Sequence, residues 1–549
     1  MSARDQNTVA GPIVSRRTAT LCLLVIVGFG IRLWYSGALS PHPQWSDPDG
    51  YIDMAHALVR GPRGWHWSSR AVQFAEFTKA PVYQVFLSFF ERFSSVVPFP
   101  QSALAAHACL NALTPIALYM TGRRLHNERC GLIAAAVYTF WIPNILTTAA
   151  FWQEQLFIPA FAAAMALTAV AGERGGVRRW AIAGAGFAVA ALTRSSVIYF
   201  IVPAAVLLVC AAQAPRRQAA VHAAAMVGGF LALTLPYVVY ISGVTGRLTF
   251  IESVGFYSLK HFNPVSPSQP QVNLLTMMAD PSGPPTSVEV LRFLWADVSG
   301  SPAAFALKRL DYVRLLLKPG GGSLLASTFA SGPIAASALK VAVHGALDLP
   351  FVLALVLAPW GVAVARQRGL ALFLAMWPPV YLLLVSTMLW AGTRYRAPIE
   401  PVLITLAAAV IAGGWRRPGA AAMTAAAVVS AILLSLVAAS ASSVLGARAN
   451  YGTARWPTDD GVVTAPGSLG MYVTCSTPVL TFTVEPLAGN ANGPVTVDLR
   501  LDGRSADRLT LGDGPKTVRY ALDAPKRLYL EVRGVDGHGR PAALRLRIE

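Results

Sequence analysis

The feature that most constrains this chain is a series of long apolar runs. They fall roughly at 18–36, 102–120, 131–149, 154–171, 180–193, 197–213, 219–241, 346–364, 369–390, 398–413 and 418–440. A helix that crosses a bilayer needs about 20 mostly apolar residues, and lipid offers its backbone no outside hydrogen-bond partner. Eleven such runs define a polytopic α-helical membrane protein with about 11 transmembrane helices. The runs at 180–193 and 398–413 are short, so each needs tilt or a neighbour. Residues 180–213 read equally as one broken hairpin.

Basic clusters set the orientation. Arg16/Arg17, Arg123/Arg124/Arg129, Arg174/Arg178/Arg179, Arg216/Arg217, Arg366/Arg368 and Arg416/Arg417 fall at every second boundary between runs. Cytoplasmic loops carry the excess of Lys and Arg, so the N-terminus is expected in the cytoplasm of a multi-pass inner or plasma membrane protein. One wrong span count would break the alternation. From Arg174 to Ile251 there is no acidic residue at all. The net charge of +18 would suggest nucleic acid in a soluble protein, but here the loops account for it and no nucleic-acid partner is expected. With 54% hydrophobic and 13% charged residues, the chain is no disordered segment. Arg16-Arg17 ahead of an apolar run imitates a signal peptide. No small-residue cleavage site follows, so the run reads as an uncleaved first span.

The alternation puts three segments outside: 37–101, 242–345 and everything after about 441. The last changes character near Ala447–Pro457. Val473–Val484, Val495–Leu501, Thr517–Leu522 and Arg527–Val532 are short alternating runs separated by Gly-Asn, Asp-Gly and Gly-Asp-Gly turns. That pattern predicts an all-β domain, a sandwich. The expected organisation is a membrane domain over 1–445 and a periplasmic or extracellular β-domain over 446–549. The five cysteines include no CxxC pair and imply neither a disulfide framework nor a zinc site.

The first external segment holds the densest chemistry. In His42-Pro43-Gln44-Trp45-Ser46-Asp47-Pro48-Asp49-Gly50-Tyr51, Ser46 or Asp47 can cap a helix with Pro48 in its first turn. Met54, Ala55, Leu58 and Val59 give that helix an apolar stripe suited to the membrane interface. Phe77-Thr78-Lys79-Ala80-Pro81-Val82-Tyr83 opens a second amphipathic helix running to about Phe93. Two readings stand for this loop: a cap and an interfacial anchor, or a reactive site of carboxylates and a lysine. Further charges map to the same membrane boundary: Glu154 at the head of the fourth run, Arg194 after the fifth, Asp348 at the eighth, and Arg394 and Arg396 before the tenth. Charge at membrane depth is expensive and reads as functional by default. The alternative is that Glu154 and Arg194 only pair with each other to hold the bundle. Asp47-Pro-Asp49 also imitates an Asp-x-Asp metal motif. A divalent metal on Asp47, Asp49, Glu76, His42, His56 or His66 stays open, and no cofactor is required.

These residues resemble a known family. Asp47-x-x-x-Tyr51-x-x-x-Ala55, Lys79-x-Pro81 and the stretch Tyr119-Met-Thr-Gly-Arg-Arg-Leu-His-Asn-Glu-Arg-Cys-Gly-Leu look like the membrane glycosyltransferases of the GT-C fold. Glu154, Leu192-Thr193-Arg194 and Arg394-Tyr395-Arg396-x-Pro398 follow the same pattern. The nearest relatives are the bacterial protein O-mannosyltransferases and the lipid A aminoarabinose transferases. The resemblance covers about residues 15–415. Thr78 departs from it, standing where some relatives carry an acid, and 242–345 matches loosely. It implies transfer of a sugar from a polyprenyl-phosphate carrier to an envelope glycan, lipid or protein on the external face. Asp47 then matches the family's acidic position and would accept the acceptor's proton. Asp49 is its nearest competitor. Lys79, Arg194 and Arg394 would contact the carrier phosphate. Glu154 would orient the sugar or an arginine, and Tyr51, Tyr83, Tyr395 and Arg396 would line the substrate site.

Two other classes compete. A transporter or flippase of lipid-linked sugars would also face cations to a lipid phosphate, but it usually shows inverted repeats, and the chain has none. An O-antigen ligase or polymerase would place most of its catalytic groups in a late large loop.

Overall fold

The computed structural model describes residues 16–38, 51, 55, 58–59, 80–96, 99, 101–210, 215–245, 248–252, 287–317, 337–388, 393–413, 418–445, and eight strands within 462–548. By internal contacts the chain divides into two compact units. One is Met1–Leu324 with Val343–Ser440; the other is Leu325–Ala342 with Ala441–Glu549.

The described helices are α1 (Arg16–Ala38), α2 (Pro81–Arg92), α3 (Gln101–Leu125), α4 (Glu128–Thr139), α5 (Ile142–Thr148), α6 (Glu154–Arg174), α7 (Val177–Thr193), α8 (Ile198–Cys210), α9 (Arg216–Thr245), α10 (Ser287–Gly300), α11 (Pro302–Leu316), α12 (Ser337–Val364), α13 (Arg368–Met388), α14 (Glu400–Ile411) and α15 (Ala420–Leu445). Every apolar run of the sequence is helical over its described core. Among the described residues seven helices are long and apolar enough to cross a membrane, and eight if the bent pair α4–α5 is one span. The chain is therefore a multi-pass membrane protein. The other three runs form α7, α8 and α14, of 17, 13 and 12 residues, too short to meet that test alone.

The break in the third run has a local cause. Trp141 is extended, and Pro143 stands in the first turn of α5, where its missing N–H costs nothing. The two pieces meet at 48°. At the other end of the bundle, α6 turns into α7 through Gly175 (φ 65°) and Gly176 (φ 91°), a left-handed backbone that favours glycine. The antiparallel pair thus brings the start of α6 and the end of α7 to one level.

Helices pack tightly in lipid where small residues let backbones approach. Gly184 of α7 lies against the Met226 carbonyl of α9, and Gly229 of α9 against the Ala181 carbonyl of α7, with no room for a Cβ at either. Inside the bundle, Trp377 of α13 lies 4.3 Å from Phe161 and 5.0 Å from Tyr381, ring centre to centre. Phe187, Phe200 and Phe373 complete this buried aromatic column. Rings at these spacings resist sliding, so the column fixes the depth of Tyr381.

Among the described residues between α1 and α3, two helical pieces pack together. Tyr51, Ala55 and Leu58 are helical and buried, at the spacing of one helix face. Tyr51 and Ala55 cluster with Tyr83 and Leu87 of α2.

In the C-terminal unit, β1 (Val462–Pro466), β2 (Ser468–Thr474), β3 (Val479–Pro486), β4 (Val495–Leu501), β5 (Arg504–Leu511), β6 (Lys516–Ala521), β7 (Arg527–Val535) and β8 (Ala543–Ile548) form two four-stranded antiparallel sheets. Their orders are β1-β8-β3-β6 and β2-β7-β4-β5. The expected run Val473–Val484 is shared between β2 and β3, whose partners lie in different sheets. Alternate residues are buried, Leu480/Phe482/Val484 on β3 and Val495/Val497/Leu499 on β4, so each strand turns one apolar face inward. The strands β1, β5 and β8 were not expected from sequence, and β2 only at Val473 and Thr474, although β8 alternates Leu544, Leu546 and Ile548 with Arg545 and Arg547.

Gly184→Val should lower the thermal unfolding midpoint of the detergent-solubilised protein, since overpacking costs about 1–3 kcal/mol. An unchanged midpoint would show that α7 and α9 do not touch as described.

Candidate active site

Glu154 is the first residue of α6, and Arg194 follows the last residue of α7. A helix N-terminus favours an anion and a C-terminus a cation, so each helix end suits the charge it carries. The Gly175–Gly176 turn makes the two ends neighbours. Arg194 Nη1 donates to Glu154 Oε1 at 2.5 Å, with both side chains buried. Removing two charges from water is costly, and their attraction repays it only with good geometry and further bonds. Those further contacts exist. The Arg194 guanidinium lies 5.7 Å from the ring centre of Tyr381 and 5.5 Å from that of Tyr395, within range of a cation–π attraction.

A second carboxylate serves the same group. Glu252, beyond α9, accepts the Ser195 hydroxyl and, at 3.2 Å, the backbone N–H of Ala80. Burial pushes its carboxyl above the usual range, while the Ser195 hydroxyl, the Arg194 charge and the Ala80 N–H pull it back. Sequence reading missed Glu252. The signal available was that it is the first acid after the purely cationic stretch.

Arg396 is engaged differently. It sits in the 3-10 turn Thr393–Ile399 with 2% of its side chain exposed. Its Nη2 donates to Asp348 Oδ1 at 3.2 Å and its Nε to Glu400 Oε1 at 3.2 Å. The Phe351 ring centre is 3.9 Å away, and Trp141 donates to the other Glu400 oxygen at 2.6 Å. This cluster anchors the turn that carries Tyr395 to Arg194. Arg394 belongs to the same turn.

A neutral network supports the other side of α6. Arg32, fully buried in α1, donates to the carbonyls of Tyr138, Thr139 and Gly28 and twice to Asn144 Oδ1. It thereby binds the last carbonyls of α4 at the bend, where a cation is favoured. Asn144 donates to Asn111, and Asn111 to Gln155, the residue beside Glu154. The clue in sequence was Asn111 at helical spacing from His107 inside an apolar run.

Tyr51 and Tyr83 are both buried, their rings edge-on at 5.0 Å, and the Tyr83 hydroxyl lies 3.4 Å from His107 Nε2. The structure thus brings together Glu154, Arg194 and Tyr395 in one cluster and Tyr51 with Tyr83 in another. Asp47, Asp49, Lys79 and the metal candidates His42, His56, His66 and Glu76 lie outside the described residues, as does the Arg394 side chain. Among the described residues no group of three or more His, Cys, Asp or Glu could hold a metal.

Residues 78–240 match the family model of the dolichyl-phosphate-mannose-protein mannosyltransferases. The match spans less than a third of the chain and takes in Lys79, Tyr83, Glu154 and Arg194. This segment therefore carries the sequence pattern of a membrane glycosyltransferase with a polyprenyl-phosphate-linked donor, the class that the motifs resemble. No curated protein matches. Among solved structures, the oligosaccharyltransferase AglB of Archaeoglobus fulgidus, in complex with an inhibitory peptide and a dolichol-phosphate, is 16% identical with a TM-score of 0.41. The alignment covers 76% of this chain and 55% of that one, so this chain spans little more than half its length. ArnT of Cupriavidus metallidurans, bound to undecaprenyl phosphate, is 15% identical over 79% of this chain and 66% of that one, with a TM-score of 0.46. Arabinosyltransferase EmbB of Mycobacterium smegmatis is 13% identical over 98% and 66%, with a TM-score of 0.30.

Arg396→Met should destabilise the protein by about 3–5 kcal/mol, because Asp348 and Glu400 would remain buried without their cation. Replacing all three by apolar residues of similar volume should restore most of the loss in thermal unfolding. Equal stability of Arg396→Met and wild type would contradict the cluster.

Proposed function

We propose that the chain is a GT-C-fold glycosyltransferase that moves a sugar from a polyprenyl-phosphate carrier to an acceptor on the external face of the membrane. The observation that carries this reading is the buried Arg194: it and its partner Glu154 lie within the segment that matches the mannosyltransferase family, and Tyr381 and Tyr395 face it from outside that segment. A guanidinium presents a planar fork of donors suited to a phosphate. In the proposed reaction an acceptor oxygen attacks the anomeric carbon, the carbon–phosphate-oxygen bond breaks, and Asp47 takes the acceptor's proton. Asp49 is the competing base. Lys79, Arg194 and Arg394 offset the charge that develops on the departing carrier phosphate. Glu154 orients Arg194. Tyr395 borders the same cation, and Arg396 holds its turn. Tyr51 and Tyr83 join the two helical pieces that carry Asp47 and Lys79. A divalent metal at Asp47 and Asp49 is the alternative source of positive charge.

The same reading assigns eleven spans, with α7, α8 and α14 crossing as short tilted helices, and a cytoplasmic N-terminus. Residues 1–445 form the membrane catalytic domain. Residues 446–549 form a β-sandwich outside the cytoplasm, its two sheets closing on their apolar faces. The acceptor is an envelope glycan, lipid or protein. A flippase would move the same lipid without cleaving it, which the assay below distinguishes.

Purified protein in lipid nanodiscs should transfer labelled sugar from synthetic polyprenyl-phosphate donors to envelope fractions. Asp47→Asn should lower the rate by about two to four orders of magnitude with folding intact, and Asp49→Asn should be milder. Normal transfer by Asp47→Asn would move the base elsewhere, and transport without cleavage would replace the transferase reading.

A reporter active only in the cytoplasm, fused after Glu549, should stay silent. A bright signal would overturn the topology and with it the external site.

A further inference from the structure

Glu252 joins three segments that are distant in sequence. Its Oε2 accepts the Ala80 backbone N–H at 3.2 Å, and its Oε1 accepts the Ser195 hydroxyl. The Arg194 charge acts on it, and Arg194 in turn donates to Glu154 across the cluster. Ala80 is the N-cap of α2 and has an extended backbone. Its side chain makes no capping bond, so the Glu252 carboxylate holds the residue at the mouth of this helix from outside. Lys79 is the preceding residue in the chain. The Arg194–Ser195 break and the start of α2 are therefore bridged by one carboxylate from the second external segment.

We propose that Glu252 is a positioning residue: it ties the start of α2 at Ala80 to the Arg194–Ser195 turn and so sets where Arg194 stands to receive the carrier phosphate. The inference rests on the transferase reading above for the identity of the ligand, but the tie itself does not. Glu252 plays two opposed parts. Its hydrogen bonds hold the Arg194–Ser195 turn in register with the start of α2, while its negative charge competes with an incoming anion for Arg194. Burial pushes the carboxyl upward, which eases that competition when a proton is taken up.

The two parts separate by substitution. Glu252→Gln keeps an acceptor for Ser195 or Ala80 and removes the charge. Glu252→Ala removes both. The full-length protein in nanodiscs is compared with and without undecaprenyl phosphate, with phosphatidylglycerol alone as the lipid control, and hydrogen exchange is followed at the start of α2. Glu252→Ala should raise exchange at Ala80 and weaken undecaprenyl phosphate binding about tenfold, on the scale of one hydrogen bond to a charged group. Glu252→Gln should protect Ala80 better than Glu252→Ala does and bind the carrier at least as tightly as wild type. A merely structural role would weaken both variants alike. Unchanged exchange in Glu252→Ala overturns the tie. Raised exchange with unchanged carrier affinity, or weakened binding by Glu252→Gln, overturns the positioning role. If the wild type does not prefer undecaprenyl phosphate to the control lipid, the transferase reading fails, and exchange at Ala80 still decides the tie.

Discussion

Burying the Arg194 guanidinium at the edge of a membrane bundle is the constraint around which the site is built. A cation taken from water into a low-dielectric interior costs several kcal/mol unless it is paired and bonded. The fold meets that cost with a carboxylate at a helix N-terminus, a second carboxylate from a loop, and two tyrosine faces. Each partner comes from a different segment, so the cation can be satisfied only when those segments are assembled. The tight Gly184–Gly229 approach and the aromatic column under Tyr381 are what hold them to the required depth.

Other buried guanidiniums meet the same cost differently. Arg396 uses two carboxylates and an aromatic face. Arg32 uses the carbonyls left open by the α4 bend and the Asn144 amide. Arg309 of α11 uses the Ser386 carbonyl, with the Phe305 and Tyr312 rings beside it. The partners differ in strength: a bond to a carboxylate is charge-assisted and stronger than one to a neutral carbonyl. Arg194 and Arg396 are held by carboxylates, Arg32 and Arg309 by carbonyls and an amide.

Much of this was legible before any coordinates. Apolar length identified eleven runs, all helical where described, because lipid imposes a simple rule on backbone hydrogen bonds, but it missed α10 and α11, which are less uniformly apolar. Charges at run ends singled out Glu154 and Arg194, and the geometry displays their pairing, one of the two readings the sequence offered. The buried edge-on contact of Tyr51 with Tyr83 was not foreseen, since amphipathic spacing cannot say which apolar face meets which. Glu252 and Arg32 were invisible for a related reason. Their roles depend on tertiary partners 50 to 170 residues away, and neither sits in a local motif. The strands β3, β4, β6 and β7 were found; Pro466 in β1 and Asp507-Arg508 in β5 interrupt the pattern, and β8 was missed although it alternates.

The account places the carrier phosphate beside Arg194, between the start of α2 and the 3-10 turn at Thr393–Ile399. Photo-crosslinking with a polyprenyl phosphate bearing a diazirine next to its phosphate, followed by peptide mapping, tests this most directly. The predicted result is labelling concentrated in peptides containing residues 79–92, 194–200 and 393–399, suppressed by unlabelled polyprenyl phosphate. Labelling spread along the lipid-facing sides of α9 and α15, and not suppressed by that competitor, would contradict it.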